Sequence, residues 1–309
     1  MAPDGAALSD IFERDESFWS SYNKGRPQPP ESFFQRIFDY HIAHDGRFDV
    51  CHDAGAGNGP YAAKLKQKFG HVIVSDLTKS NVDLARKRLG DTGFSYREAK
   101  IEQADDLSPG SIDMVFATNM MHFADQRQAM EAVARQLKPG GTFAAAGFGP
   151  ARFHDRDLQR LWGRIMQQGG FEMMEGDGYD PETVAVMSRT AGIYNVAPLD
   201  PALFRPQAQR IHLNMSTGGI LSALPPSQSL KHQEPVYSGV DDVEILEDDD
   251  GWTFETDLAG VRQHIFSFPF IEEKSERMKQ LFQQLNDMLQ GGRKVTGHWP
   301  CKIILATRR

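Results

Sequence analysis

Residues 50–59 read Val50-Cys51-His52-Asp53-Ala54-Gly55-Ala56-Gly57-Asn58-Gly59. An apolar strand end meets an acid, and three glycines follow at alternate positions. A backbone turns this sharply, and lets a ligand approach this closely, only where Cβ atoms are missing. Arg47 to His52 suits a short strand. Pro60 to Phe69 carries Tyr61, Leu65 and Phe69 at helical spacing. Strand, glycine turn and helix together open a nucleotide-binding α/β unit, with the ligand held over the helix N-terminus.

The glycines alone do not name the nucleotide. A dinucleotide fingerprint requires G-x-G-x-x-G or G-x-G-x-x-A. The register from Gly55 fails at Pro60, and the register from Gly57 formally passes at Ala62. Asp53, at the strand end beside the turn, would repel a pyrophosphate and suits a zwitterionic amino-acid tail. Working outward, His71 to Ser75 reads as a second strand that ends at Asp76, followed by Leu77. A carboxylate there can accept two hydrogen bonds from a ribose diol, which serves NAD equally well. Asn81 to Leu89 reads as a helix with Val82, Ala85 and Leu89 on one face. Ile112 to Asn119 is a further strand. In Gln136 to Phe143 the segment Leu-Lys-Pro-Gly-Gly closes a helix, turns and starts another strand.

In this order and spacing the segments resemble the class I S-adenosylmethionine-dependent methyltransferases. Asp53, Gly55, Gly57 and Gly59 fill every defined position of that family's D-x-G-x-G-x-G motif. The resemblance implies an α/β fold: a doubly wound, mostly parallel seven-stranded sheet whose last strand inserts antiparallel beside the fifth. It also implies S-adenosyl-L-methionine as cofactor. The expected division is an N-terminal arm and lid helix (1–45), a cofactor-binding core (46–149), a helical substrate-cap insertion (150–205), and C-terminal strands and helix completing the sheet (206–309).

Two segments narrow the resemblance. Tyr22-x3-Arg26-Pro27 and Met120-Met121-His122-Phe123-Ala124-Asp125 are similar to the small-molecule group that includes trans-aconitate methyltransferase and the ubiquinone C-methyltransferases. In such enzymes the N-terminal segment folds over the cofactor, which implies that residues 17–30 form a lid. Tyr22 and Arg26 would then face the methionine carboxylate. Ile101 and Glu102 align with the adenine-contacting turn, with a second register at Ala104-Asp105. Leu77 and Asn119 fall at the cofactor edge, Trp19 and Phe123 on the substrate side. His122 is the candidate general base. Trp19, Tyr22 and Phe18 equally suit an arm anchored on the core, and His122 a strand-end histidine bonded to backbone.

Composition bounds the partners. The 309 residues carry a net charge of -8, which argues against DNA or RNA. No apolar run approaches the roughly 20 residues that span a bilayer. The N-terminus lacks a basic, apolar secretory signature, so a cytoplasmic location is expected. Cys51 and Cys301, the only cysteines, fall on the first and last strands and read as buried, unpaired packing residues. No cluster has metal-ligand spacing, so no metal is expected. The first 15 or so residues read as a frayed arm. The acid run Asp241 to Asp250 reads as a solvated loop, Ser275 to Leu289 as a helix, and Lys302 to Thr307 as a closing strand. A homodimer stays open.

Three functions fit. The first is a methyltransferase acting on a small, largely apolar metabolite, O-directed on a carboxyl or hydroxyl group, or C- or N-directed, in secondary metabolism. The second is a nicotinamide oxidoreductase. The third is a non-methylating protein that uses the cofactor structurally or electrostatically.

Overall fold

The computed structural model describes residues 16–177, 181–225 and 234–309, so the expected N-terminal arm lies outside the described residues. Strands β1 (Val50–Ala54), β2 (His71–Asp76), β3 (Phe94–Glu98), β4 (Ile112–Thr118) and β5 (Leu137–Phe148) are parallel. Between and around them run helices α1 (Glu16–Gly25), α2 (Glu31–Ala43), α3 (Ala62–Lys66), α4 (Lys79–Leu89) and α5 (Gln126–Gln136). Next come β6 (Arg152–Phe153), α6 (Arg156–Asp177), α7 (Pro181–Thr190), β7 (Gln209–Leu213) and β8 (Val243–Glu247). The chain closes with β9 (Thr253–Thr256), α8 (Leu258–Phe266), α9 (Glu276–Leu289), β10 (Val295–His298) and β11 (Cys301–Thr307).

The main sheet has eight strands in the order β3-β2-β1-β4-β5-β11-β7-β8, and β11 runs antiparallel to both β5 and β7. The expected count of seven is therefore one short. The eighth strand is β8, which lies inside the acid run read as a loop and pairs parallel with β7. Its acids have partners on the fold. Glu247 takes a two-pronged ion pair from Arg36 on α2, at 2.9 and 3.0 Å, and Glu244 pairs with His212 of β7. Charge count alone does not reveal such partners. A second small correction concerns Leu137-Lys138-Pro139-Gly140-Gly141. It is no separate turn: β5 begins at Leu137 and absorbs the irregularity at Gly140, whose φ is 83°.

Alternation along the strands builds two cores, one per face. Cys51, Met114, Phe116, Ala144, Ala146 and Ile303 point toward Phe33, Ile37 and Phe38 of α2. Val115, Ala117, Phe143, Ala145 and Ile304 point toward Met130 and Val133 of α5. Both faces of the sheet are thus covered, as parallel strands require. A third core lies under α6, α8 and α9, beside a small antiparallel sheet in the order β6-β10-β9. That sheet joins residues 152–153 to residues 253–298, across the chain boundary expected at 205. Cys51 and Cys301 are both buried and unpaired. Among the described residues no helix is long and apolar enough to cross a membrane.

Gly147 on β5 faces the Tyr194 ring, and a Cβ there would sit 2.5 to 2.6 Å from three ring atoms. Gly147→Ala should therefore destabilise the protein by about 1–3 kcal/mol, the usual cost of overpacking. Urea denaturation followed by circular dichroism would show a lower midpoint; an unchanged midpoint would mean that Tyr194 moves aside freely.

Candidate functional site

The glycine turn leaves the C-terminal end of β1, where the sheet order changes direction between β1 and β4. Open α/β sheets bind ligands at such a point. Gly55, Gly57 and Gly59 have φ of 64°, 56° and 70°, a region that side chains disfavour. They do different jobs. A Cβ on Gly55 would meet Met120 Cγ at 2.6 Å, and one on Gly57 would meet Trp19 Cη2 at 2.9 Å. One on Gly59 would meet Leu89 Cδ1 at 3.0 Å, so the third glycine packs α4 and stays out of the cleft.

The cleft over this turn holds about 1580 Å³ of empty space, its open mouth included. It brings together Asp53, Gly55, Gly57, Asp76, Leu77, Ile101, Glu102, Asn119 and Phe123 with Trp19 and Tyr22 of α1. The register at Ile101-Glu102 is the one at the cleft. Ala104 is buried elsewhere and Asp105 is fully exposed beside Arg135. Helix α1 lies across the cleft, with Trp19 Nε1 donating to Asn81 Oδ1 at 2.8 Å.

Asp76 is already engaged. Its Oδ2 accepts from Gly57 N at 2.8 Å, and its Oδ1 accepts from Thr78 N at 3.0 Å and Asn81 Nδ2 at 3.1 Å. A carboxylate has about four acceptor positions, so roughly one remains for a hydroxyl, against the two expected from sequence. Asp53 is the opposite case. Its Oδ2 is buried with no hydrogen-bond partner, and burial, reinforced by the nearby Asp76, pushes its pKa up to about 8. Thr118 Oγ1, also on the cleft, is likewise buried and unpartnered. Asn119 sits at φ 55°, and its Oδ1 accepts from Phe148 N at 2.8 Å, tying the end of β4 to β5.

Arg26 and His122 are not on the cleft. They line a second, inner chamber with about 840 Å³ of empty space, its opening included, which shares Tyr22, Asn119, Phe123 and Val186 with the cleft. Its walls are largely apolar, among them Met166, Met173, Met187, Ile220, Leu221 and Phe270. His122 Nδ1 is hydrogen-bonded to Tyr194 Oη at 3.2 Å, a side-chain partner where a backbone partner was the alternative reading. Burial, then the positive charges of Arg26 and Arg189, hold the His122 pKa down at about 3. The ring is neutral and a feeble proton acceptor.

Comparison with known proteins bears on this geometry. A family model described as a methyltransferase domain matches residues 52–145. Methyltransferase AacuQ of Aspergillus aculeatus is 55% identical over 300 residues, covering 97% of this chain and 96% of that protein. Methyltransferase tpcM of Aspergillus fumigatus is 53% identical over 299 residues, covering 97% and 94%. The chain belongs to this methyltransferase family. The solved structure of a candidate type II methyltransferase from Anaeromyxobacter dehalogenans has the same fold, with a TM-score of 0.56 at 16% identity over 91% of this chain and 97% of that one.

The methyltransferase assignment carries S-adenosylmethionine with it, and the cleft fits that group. The orphaned Asp53 oxygen is suited to its ammonium. The glycine turn gives close approach, and Asp76 retains an acceptor for a ribose hydroxyl. The family also sets aside the nicotinamide reading that the glycine pattern had left open.

Sequence reasoning missed His264, a lone histidine on α8 without a motif. Its Nδ1 bonds Gly25 O at the end of α1 at 2.8 Å, and its Nε2 accepts from Ala151 N at 3.1 Å. This clamp ties α1 to the chain just after β5, beside the inner chamber, and it needs a neutral ring. Burial holds its pKa down at about 3.

Acid should loosen the fold through these rings. His122 and His264 titrate near 3 and the buried His52 near 4, all below the ordinary value of 6.5. Below pH 6.5 the unfolded chain binds protons that the folded one does not. Stability is therefore lost as pH falls, with a slope nearing about 1.4 kcal/mol per unit for each ring. Asp53, raised to about 8, works in the opposite sense over the same range. Urea midpoints should drop between pH 7.5 and pH 5, and His264→Phe should flatten part of that dependence; an equal slope in the variant would show that His264 titrates normally.

Proposed function

We propose that this methyltransferase methylates an oxygen of an acidic group, a carboxyl or an acidic hydroxyl, on a largely apolar metabolite of secondary metabolism held in the inner chamber. The observation that carries this is the chemistry of that chamber. It is walled by methionines and phenylalanines, and its histidine has a pKa of about 3. A ring held unprotonated by burial and two nearby positive charges is poorly placed to take a proton from a phenol of ordinary pKa, about 10. A carboxylate needs no proton removed. C- and N-methylation are disfavoured on the same ground where the attacking atom must first lose a proton.

The bound donor supplies an electrophilic methyl group on a sulfonium. The protein's part is alignment. The wall shared by the two cavities, Tyr22, Asn119, Phe123 and Val186, is where acceptor and methyl group would meet. Phe123 and Val186 exclude water there. Positive charge disperses during an in-line displacement, so a dry wall and fixed geometry favour the reaction. Trp19 and Tyr22 would close the cleft from above, Ile101 and Leu77 would flank the base and ribose, and Asp53 would hold the ammonium.

Incubation with donor labelled in its methyl group and a panel of metabolite extracts, followed by mass spectrometry, tests the reading. The product should gain one methyl group, and mild alkali should release it if the group is an ester. A product of unchanged mass would point to the non-methylating alternative, and an alkali-stable C-methyl would overturn the oxygen assignment.

Two further outcomes are expected. Pairing Asp53 with an ammonium favours the carboxylate, so binding of S-adenosylhomocysteine below pH 8 should release a fraction of a proton. Calorimetry in buffers of different ionisation enthalpy should detect it, and Asp53→Asn should abolish it. His122→Ala should lower turnover less than about 10-fold, short of the 10²–10⁴ typical of a lost general base. A larger loss with an altered pH profile would restore His122 as the base.

A further inference from the structure

Arg26 was expected at the methionine carboxylate, yet it stands on the inner chamber, at the far side of Tyr22 from the cleft. Its surroundings are unusual for a guanidinium. The group lies over the Phe268 ring at 4.0 Å and the Tyr22 ring at 4.8 Å from their centroids. Its one hydrogen bond runs from Nη2 to Ser267 O at 3.2 Å, and its Nε is buried without a partner. Among the described residues no carboxylate pairs with it, whereas Arg36, Arg97, Arg189, Arg210 and Arg262 each hold one. The neighbouring groups lining the chamber are neutral or apolar, so among the described residues no lining acid offsets the charge. Buried charges are ordinarily paired, because an unpaired one forfeits its hydration without return.

We infer that Arg26 anchors an anionic oxygen of the acceptor, so that the inner chamber selects aromatic or polycyclic molecules that enter carrying a negative charge. The inference rests on the reading of that chamber as the acceptor site. Two geometric facts carry it. Nη1 of the guanidinium has no hydrogen-bond partner among the described residues although Arg26 lines the chamber, and the rings of Phe268 and Tyr22 lie 4.0 and 4.8 Å from the guanidinium carbon. A planar fork held in this way suits a carboxylate or a phenolate. The apolar walls supply binding area while Arg26 supplies orientation. The positive field is also visible on the neighbours, since Arg26 contributes to holding both His122 and His264 unprotonated.

The test uses the full chain loaded with S-adenosylhomocysteine and four naphthalene probes: 1-naphthoate, ionised 4-nitro-1-naphtholate, 1-naphthamide and 1-naphthalenemethanol. Binding is followed by calorimetry at pH 7.5. The wild-type protein should bind one or both anions at least 10-fold more tightly than the neutral probes, and which anion wins identifies the preferred source of the charged oxygen. Arg26→Met should erase that preference, and Arg26→Lys should keep part of it. Both variants should hold S-adenosylhomocysteine within two-fold of wild type.

Absence of charge preference in the wild-type protein, or its survival in Arg26→Met, would overturn the proposal, as would failure of all four probes to bind. A parallel loss of S-adenosylhomocysteine affinity in both variants would return Arg26 to the cofactor tail. The wild-type comparison stands even where a variant fails to fold. Wild-type protein that holds no S-adenosylhomocysteine would sink the cofactor reading itself, a separate failure.

Discussion

The carboxylate of Asp76 ties the site together. One oxygen takes the amide of Gly57, and the other takes the amide of Thr78 and the side chain of Asn81. Three pieces of chain that need not otherwise meet are thereby locked: the turn after β1, the end of β2 and the start of α4. Asn81 passes the constraint on, since its carbonyl oxygen accepts from the indole of Trp19. Helix α1 is thus positioned from the sheet outward. A charge-assisted network of this kind is stiff because each member would be left unsatisfied if another moved.

On that frame the two cavities present different polar groups. The outer cleft presents Asp53, one of whose carboxyl oxygens is buried without a partner, and the inner chamber presents Arg26, whose guanidinium has no carboxylate partner among the described residues. Between them lies a wall of Tyr22, Asn119, Phe123 and Val186 that carries no full charge. On the reading proposed above, a cationic donor would take the first end and an acidic acceptor the second, with the reacting atoms meeting at the uncharged boundary. Asn119 makes this boundary rigid by adopting a left-handed backbone and bonding across to Phe148. Asparagine tolerates that conformation better than most residues.

Local chemistry made the cofactor half legible. The three glycines, Asp53, Asp76 and the strand that ends at Asn119 are signals carried by a few adjacent residues each, and they fall where the chain order puts them. Gly59 read as part of the same motif, yet it serves helix packing, because a motif records which residues recur and not which neighbour each one meets. Tyr22 lies in α1 and Arg26 just past its end, yet only Tyr22 reaches the cleft. The difference is set by α8, which arrives more than 200 residues later and captures Gly25 through His264. Contacts of that sequence separation leave no periodic trace. The same holds for β8, whose acids find Arg36 and His212 only after the sheet has assembled. The inner chamber, built from residues between 22 and 270, was beyond reach for that reason.

The outermost strand β8 has a consequence for life at high concentration. An open sheet edge presents unpaired backbone donors and acceptors that invite another chain to add on, and Leu246 is 72% exposed along it. Around this edge the sequence places Asp241, Asp242, Glu244, Glu247, Asp248, Asp249 and Asp250. Arg36, His212 and Arg210 take up Glu247, Glu244 and Asp242, which leaves Asp241, Asp248 and Asp250 without an ion pair among the described residues. Like charges beside an open edge oppose the addition of a second such edge, so the same acidic stretch that pairs inward also disfavours growth of the sheet past its eighth strand.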